Sequence, residues 1–138
     1  MTIRLGVAGL GYWGPNLARN FAALPGCELT WCCDASEAAR ERYARTFPSA
    51  RFTGDLEELL ADEELDAVVL ATPVPSHAAL AARVLRAGKH CFVEKPLAQS
   101  VADAALAALQ RRPPAERPQL YGDGRAGERV VAALRMGA

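Results

Sequence analysis

The chain has 138 residues, of which 51% are hydrophobic and 23% are charged, a composition typical of one folded domain with a hydrophobic core. Its 16 basic and 16 acidic residues give a formal net charge of zero, so we expect neither a nucleic acid nor a membrane as partner. No apolar run approaches the roughly 20 residues of a membrane-spanning helix, and residues 1–5 lack the pattern of a secretory signal, so we expect a cytoplasmic protein.

Short apolar runs alternate along the chain with longer stretches whose apolar residues recur at helical spacing. In chain order, the pattern predicts a strand over 3–8, a helix over 15–24, a strand over 28–33, a helix over 36–47, a strand over 51–52, a helix over 55–61, a strand over 66–71, a helix over 76–87, a strand over 90–94 and a helix over 100–110. Residues 67–70 are apolar on both faces of their strand, as in a parallel sheet covered by helices on both sides. We therefore predict an α/β fold, a doubly wound and mostly parallel sheet of the Rossmann type, in a single domain.

The end of the chain departs from this alternation. Residues 111–118 contain three prolines and no apolar periodicity, which predicts a linker or loop. Over 119–138 we predict a sixth strand, at 119–121, followed by a terminal helix, at 128–136. The domain itself is predicted to span residues 1–110.

A glycine-rich turn, G-L-G-Y-W-G over residues 9–14, lies between the first predicted strand and the first predicted helix. Glycines at this spacing also occur by chance, but a strand before and a helix after them form the setting of a dinucleotide site. Gly9 would make the tight turn, Gly11 would let the backbone approach the pyrophosphate, and Gly14 would let the helix pack on its strand. Backbone N–H groups and the helix dipole then face the phosphates. We predict that these glycines, with Tyr12 and Trp13, bind NAD.

Asp34 ends the second predicted strand, 20 positions after Gly14, where an acidic side chain can accept hydrogen bonds from the adenosine ribose. Its carboxylate would repel a 2'-phosphate, and the two residues that follow it supply no arginine, while Arg40 is a turn further on. We therefore expect NAD rather than NADP. The alternative is that Asp34 only caps the helix that begins near Ser36, and the two roles are compatible.

Polar residues also follow the strand that ends at Ala71, in a position where ligands bind in open α/β folds. Thr72 and Pro73 lead into a predicted helix with Ser76 as its N-cap. His77 then lies in the first turn of that helix, either as a ligand-binding residue or as a solvated surface histidine.

Glu94-Lys95-Pro96 follows the fifth predicted strand. The two charges could form a surface ion pair, which contributes little stability. Alternatively, Lys95 lies near the nicotinamide, holds a sugar hydroxyl and helps to remove its proton. The residues alone leave both interpretations open.

The four cysteines include no C-x-x-C pair, and the chain has only two histidines, so we predict no metal site. Cys32 and Cys33 should point to opposite faces of one strand. We expect core thiols in a reducing compartment.

Together these motifs resemble the Gfo/Idh/MocA family of NAD(P)-dependent sugar oxidoreductases. The resemblance covers residues 1–110 and is carried by residues 6–21, Cys33-Asp34, Ala71-Thr72-Pro73 with Ser76-His77, and residues 88–98 with Glu94-Lys95-Pro96. The G-Y-W-G-P-N form of residues 11–16 is similar to members that act on nucleotide sugars, such as 3-dehydrogenases of UDP-N-acetylglucosamine or its uronic acid. The resemblance implies that Lys95 touches both the nicotinamide and the reacting sugar. It also implies that Glu94, Thr72, Pro73 and His77 line the cofactor.

Family members carry a second α/β domain that holds most of the sugar-binding surface, and no part of this sequence resembles it. Two hypotheses follow. The chain is the NAD-binding domain of a sugar dehydrogenase, inactive alone or completed by a second copy or a partner subunit, or it is a stand-alone dinucleotide-binding module. Residues 121–129 also resemble the end of non-hydrolysing UDP-N-acetylglucosamine 2-epimerases, the alternative being an ordinary terminal helix.

Overall fold

The computed structural model describes residues 2–100. Its strands are β1 (Ile3–Ala8), β2 (Cys27–Cys33), β3 (Arg51–Thr53), β4 (Ala67–Leu70) and β5 (His90–Val93). Its helices are α1 (Gly14–Ala22), α2 (Glu37–Ala44), α3 (Leu56–Leu60) and α4 (Val74–Arg86). The elements predicted between residues 3 and 94 are all present. The predicted helix over 100–110, the linker and the tail lie outside the described residues, apart from Ser100.

The described strands form one five-stranded sheet in the order β3-β2-β1-β4-β5, and every neighbouring pair is parallel. From β1 the chain moves through β2 to β3 on one side, then returns to place β4 and β5 on the other. The strand order therefore reverses between β1 and β4, which is where an open α/β sheet binds its ligand. The predicted doubly wound Rossmann fold is confirmed.

The hydrophobic core lies on both faces of the sheet, because successive residues of a strand point in opposite directions. Val7 packs in the cluster beside α1, while its neighbour Ala8 packs in the cluster beside α3 and α4. Cys32 and Cys33 divide in the same way, as predicted. All four residues of β4 are buried, which explains why the sequence of this strand shows no polar alternation.

Helix α4 begins two residues earlier than predicted. Its N-cap is Pro73 and its first residue is Val74, so Ser76 is not the N-cap. A proline is tolerated in the first turn because its missing N–H would have no partner within the helix. At the other end, Gly88 adopts a φ of 75° and closes the helix as predicted.

Within residues 2–100, no helix has both the length and the apolar character needed to cross a bilayer.

Candidate cofactor site

The loops after β1, β2, β4 and β5 meet at the carboxyl edge of the sheet. The backbone N–H groups of Gly9, Ala71 and Glu94 donate, each at 2.8 Å, to a carbonyl oxygen at the end of the neighbouring strand. These hydrogen bonds extend the parallel pairing one residue past the strands. The glycine turn, Asp34, the loop at Thr72 and the segment at Lys95 are therefore brought to one edge of the molecule.

The three glycines of the turn differ in what a side chain at each position would meet. Gly9 has a φ of 95°, and a Cβ atom built there would lie 2.6 Å from the backbone of Ala71. A Cβ atom on Gly14 would lie 1.7 Å from the carbonyl oxygen of Gly9. Because that oxygen belongs to the backbone, no side-chain movement could remove the clash. On Gly11 it would meet no heavy atom within 4 Å. The fold thus dictates the first and third glycines, and the open space over Gly11 is free for the approach of a ligand.

Tyr12 and Trp13 stand exposed beside this space. Their side chains are 81% and 54% exposed, and the two rings pack edge to face with centroids 5.1 Å apart. Gly11 and Tyr12 also border an open groove of about 530 Å³ whose other wall is α2. Large exposed aromatic rings on a turn offer apolar surface to a bound molecule.

Asp34 ties the end of β2 to the glycine turn. Its Oδ2 accepts a hydrogen bond from the backbone N–H of Leu10 at 2.6 Å, and its Oδ1 accepts one from the N–H of Ser36 at 2.8 Å. Each carboxylate oxygen can accept a second hydrogen bond, so acceptor sites remain for the hydroxyls of a ribose. The N-cap of α2 is Ser36, whose Oγ accepts from Ala39 N–H at 3.3 Å, so Asp34 does not cap that helix.

Arg40 is a residue of the site whose role was not predicted. Its Nη1 donates to the carbonyl oxygens of Asp34 and Ala35, at 2.6 and 3.1 Å, and so fixes the backbone that carries the Asp34 carboxylate. The sequence signal was present, because an arginine six positions after Asp34 lies within α2 and can reach back to the end of β2.

His77 is buried, with 1% of its surface exposed, so the alternative of a solvated surface histidine is wrong. Its Nδ1 lies 2.8 Å from the carbonyl oxygen of Pro96, and its Nε2 lies 2.6 Å from that of Thr72. The hydroxyl of Thr72 shares a hydrogen bond of 2.8 Å with that of Ser76.

Lys95 follows β5 after one residue and is exposed, whereas Glu94 is half-buried. None of the ion pairs found among residues 2–100 joins these two side chains. The Lys95–Pro96 peptide bond is cis. Lys95 is thus an exposed residue on the loop that follows β5, at the carboxyl edge of the sheet.

Across the part of the chain that the structure describes, no three His, Cys, Asp or Glu side chains lie close enough together to hold a metal ion.

A parallel sheet with a glycine turn at its switch point and an aspartate at the end of β2 defines a dinucleotide-binding domain of the Rossmann class. The residues fit NAD, since the turn leaves open space over Gly11 and Asp34 keeps acceptor sites free. A family model described as the oxidoreductase family with an NAD-binding Rossmann fold, GFO_IDH_MocA, matches residues 3–112. The chain belongs to this family, which confirms the predicted resemblance, and its cofactor is NAD.

Three similar proteins extend the comparison. GenD2 from gentamicin A biosynthesis, solved in complex with NAD, is 37% identical with a TM-score of 0.75, over 79% of this chain and 31% of that one. The WlbA dehydrogenase of Bordetella pertussis, solved with NADH and UDP-GlcNAcA, is 32% identical with a TM-score of 0.75, over 79% of this chain and 33% of that one. A glycosyl hydrolase family 109 protein of Shewanella sp. strain ANA-3 is 33% identical over 72% of this chain and 24% of its own length. The chain therefore spans a quarter to a third of these relatives.

Proposed function

We propose that this chain is the NAD-binding part of a dehydrogenase that oxidises a sugar, more narrowly a nucleotide sugar. The reaction would break the C–H bond of a sugar carbinol, giving the hydride to NAD, and release the hydroxyl proton, leaving a ketone. NAD supplies the acceptor for the hydride. The part of Lys95 is to hold the reacting hydroxyl and help to remove its proton.

The observation that carries this proposal is the position of Lys95. It is exposed on the loop after β5, at the edge where Asp34 and the glycine turn lie. A cofactor whose adenosine end meets Asp34 and whose pyrophosphate crosses Gly11 continues toward β4 and β5, because these strands lie beyond β1 from β2. An amine presented there can meet the substrate beside the nicotinamide. Of the remaining predicted residues, Thr72 and Pro73 follow β4, Glu94 follows β5, and His77 lies in the first turn of α4.

The substrate class is supported by the neighbours. WlbA was solved with NADH and UDP-GlcNAcA, and GenD2, from gentamicin A biosynthesis, was solved with NAD. Since the chain covers only about a third of each, the residues that hold the sugar would come from polypeptide outside these 138 residues. We also assign the protein to the cytoplasm, because Cys32, Cys33 and Cys91, all within the described residues, are free thiols, the form that a reducing compartment maintains.

The test is hydride transfer. NADH formation should be followed with UDP-linked sugars and uronic acids, using the chain alone and together with candidate partner subunits. In an active assembly, Lys95→Gln should lower turnover by about 100-fold or more and leave NAD affinity within about twofold, because the lysine acts on the substrate proton. Arg86→Gln, on the far end of α4, is the matched loss of one exposed positive charge and should leave both unchanged.

Two outcomes would overturn the proposal. One is full turnover by Lys95→Gln. The other is release of sugar from a glycoside without net NADH formation, which would place the chain with the relative named as a glycosyl hydrolase. NAD binding without turnover in every combination would favour the stand-alone cofactor-binding module.

A further inference from the structure

One buried side chain connects two of the loops at the cofactor edge. His77, in the first turn of α4, reaches the carbonyl oxygen of Thr72 at the end of β4 and that of Pro96 beyond β5. The two acceptors lie on opposite sides of its ring, and each faces a different ring nitrogen. With 1% of its surface exposed, the ring is shielded from water that could replace either bond.

The chemistry of the two partners makes the ring the donor. Carbonyl oxygens only accept, so each hydrogen bond needs a proton on the facing nitrogen. A neutral imidazole donates from one nitrogen and a protonated one from both. In either form the buried ring donates to at least one of the two carbonyl oxygens and lies within 2.8 Å of both. A phenyl ring of similar size would hold neither.

Within residues 2–100, the last backbone bond that ties the loop beyond β5 to the sheet is Glu94 N–H to Leu70, before Lys95. Lys95, Pro96 and Leu97 are all exposed, so packing does not fix their position. Among the contacts of the described residues, the hydrogen bond between His77 and Pro96 is therefore the one that holds the backbone immediately after Lys95.

We propose that His77 is a positioning residue, which bridges the loops after β4 and β5 and thereby fixes Lys95 relative to the nicotinamide end of the cofactor. Its ring, 1% exposed and close to a carbonyl oxygen at each nitrogen, would act through the Pro96 carbonyl and not through the direct contact with the cofactor that the family resemblance implies. This inference rests on the proposed function in one respect, the role of Lys95, and deepens it by naming the residue that places the amine.

The experiment compares NAD with ADP-ribose, which has the same adenosine, pyrophosphate and second ribose but no nicotinamide. In His77→Gln, the dissociation constant for NAD should rise by roughly three- to tenfold, because the loops after β4 and β5 would no longer be held together beside the nicotinamide. The constant for ADP-ribose should change by less than about twofold. Ser76→Ala is the matched control, because it removes a hydroxyl from the same turn and leaves the bridge in place.

Backbone hydrogen exchange provides the second readout. In His77→Gln and His77→Phe, the amide of Glu94, whose N–H is bonded to the carbonyl oxygen of Leu70, should exchange at least about tenfold faster, while the amides of β1 and β4 keep their rates. Equal loss of affinity for both ligands, or faster exchange throughout the sheet, would show a structural role and overturn the proposal. So would unchanged exchange at Glu94.

The failure of the proposed function would look different. In that case the loop would exchange faster in the His77 variants and Lys95→Gln would still turn over at the normal rate. The bridge would then stand, and the role assigned to Lys95 would be the part overturned.

Discussion

Single residues of the glycine turn separate what the fold requires from what the cofactor requires. Gly14 has no room for a Cβ atom because the Gly9 carbonyl oxygen stands 1.7 Å from its position. Gly11 has room within the protein, since no heavy atom lies within 4 Å. The same substitution at the two positions should therefore damage two different properties.

We predict that Gly11→Ala keeps the stability of the wild type to within about 1 kcal/mol and loses NAD affinity by about tenfold or more, because its methyl group occupies the path of the pyrophosphate. Gly14→Ala should lower the free energy of unfolding by several kcal/mol, on the order of 3 or more. Urea unfolding and calorimetric NAD titration measure the two effects. Normal NAD binding by Gly11→Ala would contradict the placement of the pyrophosphate over the turn.

We interpret Asp34 as the residue that makes the site prefer NAD to NADP. We predict that Asp34→Asn lowers the affinity for NAD by about tenfold, because charge-assisted bonds to the ribose become neutral ones. It should also raise the affinity for NADP relative to NAD, since the repulsion of a 2'-phosphate disappears. Titration of both cofactors into both proteins measures the ratio. The control is Ser36→Ala, which removes the α2 cap, costs about 1 kcal/mol of stability and should leave the ratio unchanged.

The roles of some of these residues can be predicted from the sequence, and the roles of others cannot. Gly9, Gly14 and Asp34 are recognisable because their roles depend on local backbone geometry and on spacing from a strand. The role of Arg40 is not, because its guanidinium folds back onto carbonyls at the end of another element. The burial of His77 depends likewise on where the loop after β5 passes, which no local pattern contains.

Among the elements, strands were predicted to within one or two residues, whereas helix ends shifted by up to three. Strand limits follow from buried apolar runs, which end where polar residues begin. The start of α4 was misplaced because two prolines were interpreted as loop residues, although a first helical turn accepts them. The side-chain preference of serine for the N-cap position therefore predicted Ser76, whereas the backbone preference of proline for the first turn places the start of α4 two residues earlier.

Three elements are held together at Trp31 of β2. Its Nε1 donates to Oδ2 of Asp62, beyond α3, at 2.8 Å, and the guanidinium of Arg51 from β3 lies 4.9 Å from the centre of its ring. Arg51 also lies 3.6 Å from the Asp62 carboxylate. The hydrogen bond from Trp31 is the main cause of a lowered pKa of Asp62, and Arg51 adds to it against the effect of burial.

This cluster predicts a pH dependence of stability. Because the pKa of Asp62 is lower in the folded protein than its ordinary value of 3.8, the ionised side chain stabilises the fold above pH 3.8, and the stabilisation is lost as the pH falls through the folded value. In urea unfolding between pH 5 and pH 2.5, Asp62→Asn should therefore lose less stability than the wild type. Asp66→Asn serves as the comparison, and equal slopes for Asp62→Asn and the wild type would contradict the assignment.

The sheet divides the hydrophobic core into two clusters, one beside α1 and one beside α3 and α4, and its strands contribute residues to both. The doubly wound arrangement was predictable because the alternation of strands and helices, and the apolar character of residues 67–70 on both faces, leave few other topologies. Cys32 lies in one of these clusters and its neighbour Cys33 in the other, so the reactivity of each thiol can be used to follow one cluster. Burial is the main cause of the raised pKa of each thiol, to about 12 for Cys32 and about 11 for Cys33.

Since the thiolate is the reactive form, neither thiol should be alkylated in the folded protein at pH 8. Each thiol can be followed alone in a variant that lacks the other, Cys33→Ala for Cys32 and Cys32→Ala for Cys33. If the two clusters open only together, the remaining thiol should be alkylated at a rate set by the global unfolding of its variant. NAD at 100 times its dissociation constant should slow both reactions by about 100-fold, because only the folded state binds it. Labelling followed by mass spectrometry, with and without NAD, measures the two rates. Reaction of Cys33 that NAD does not slow would show that the side of the sheet covered by α3 and α4 opens on its own, apart from the cofactor site.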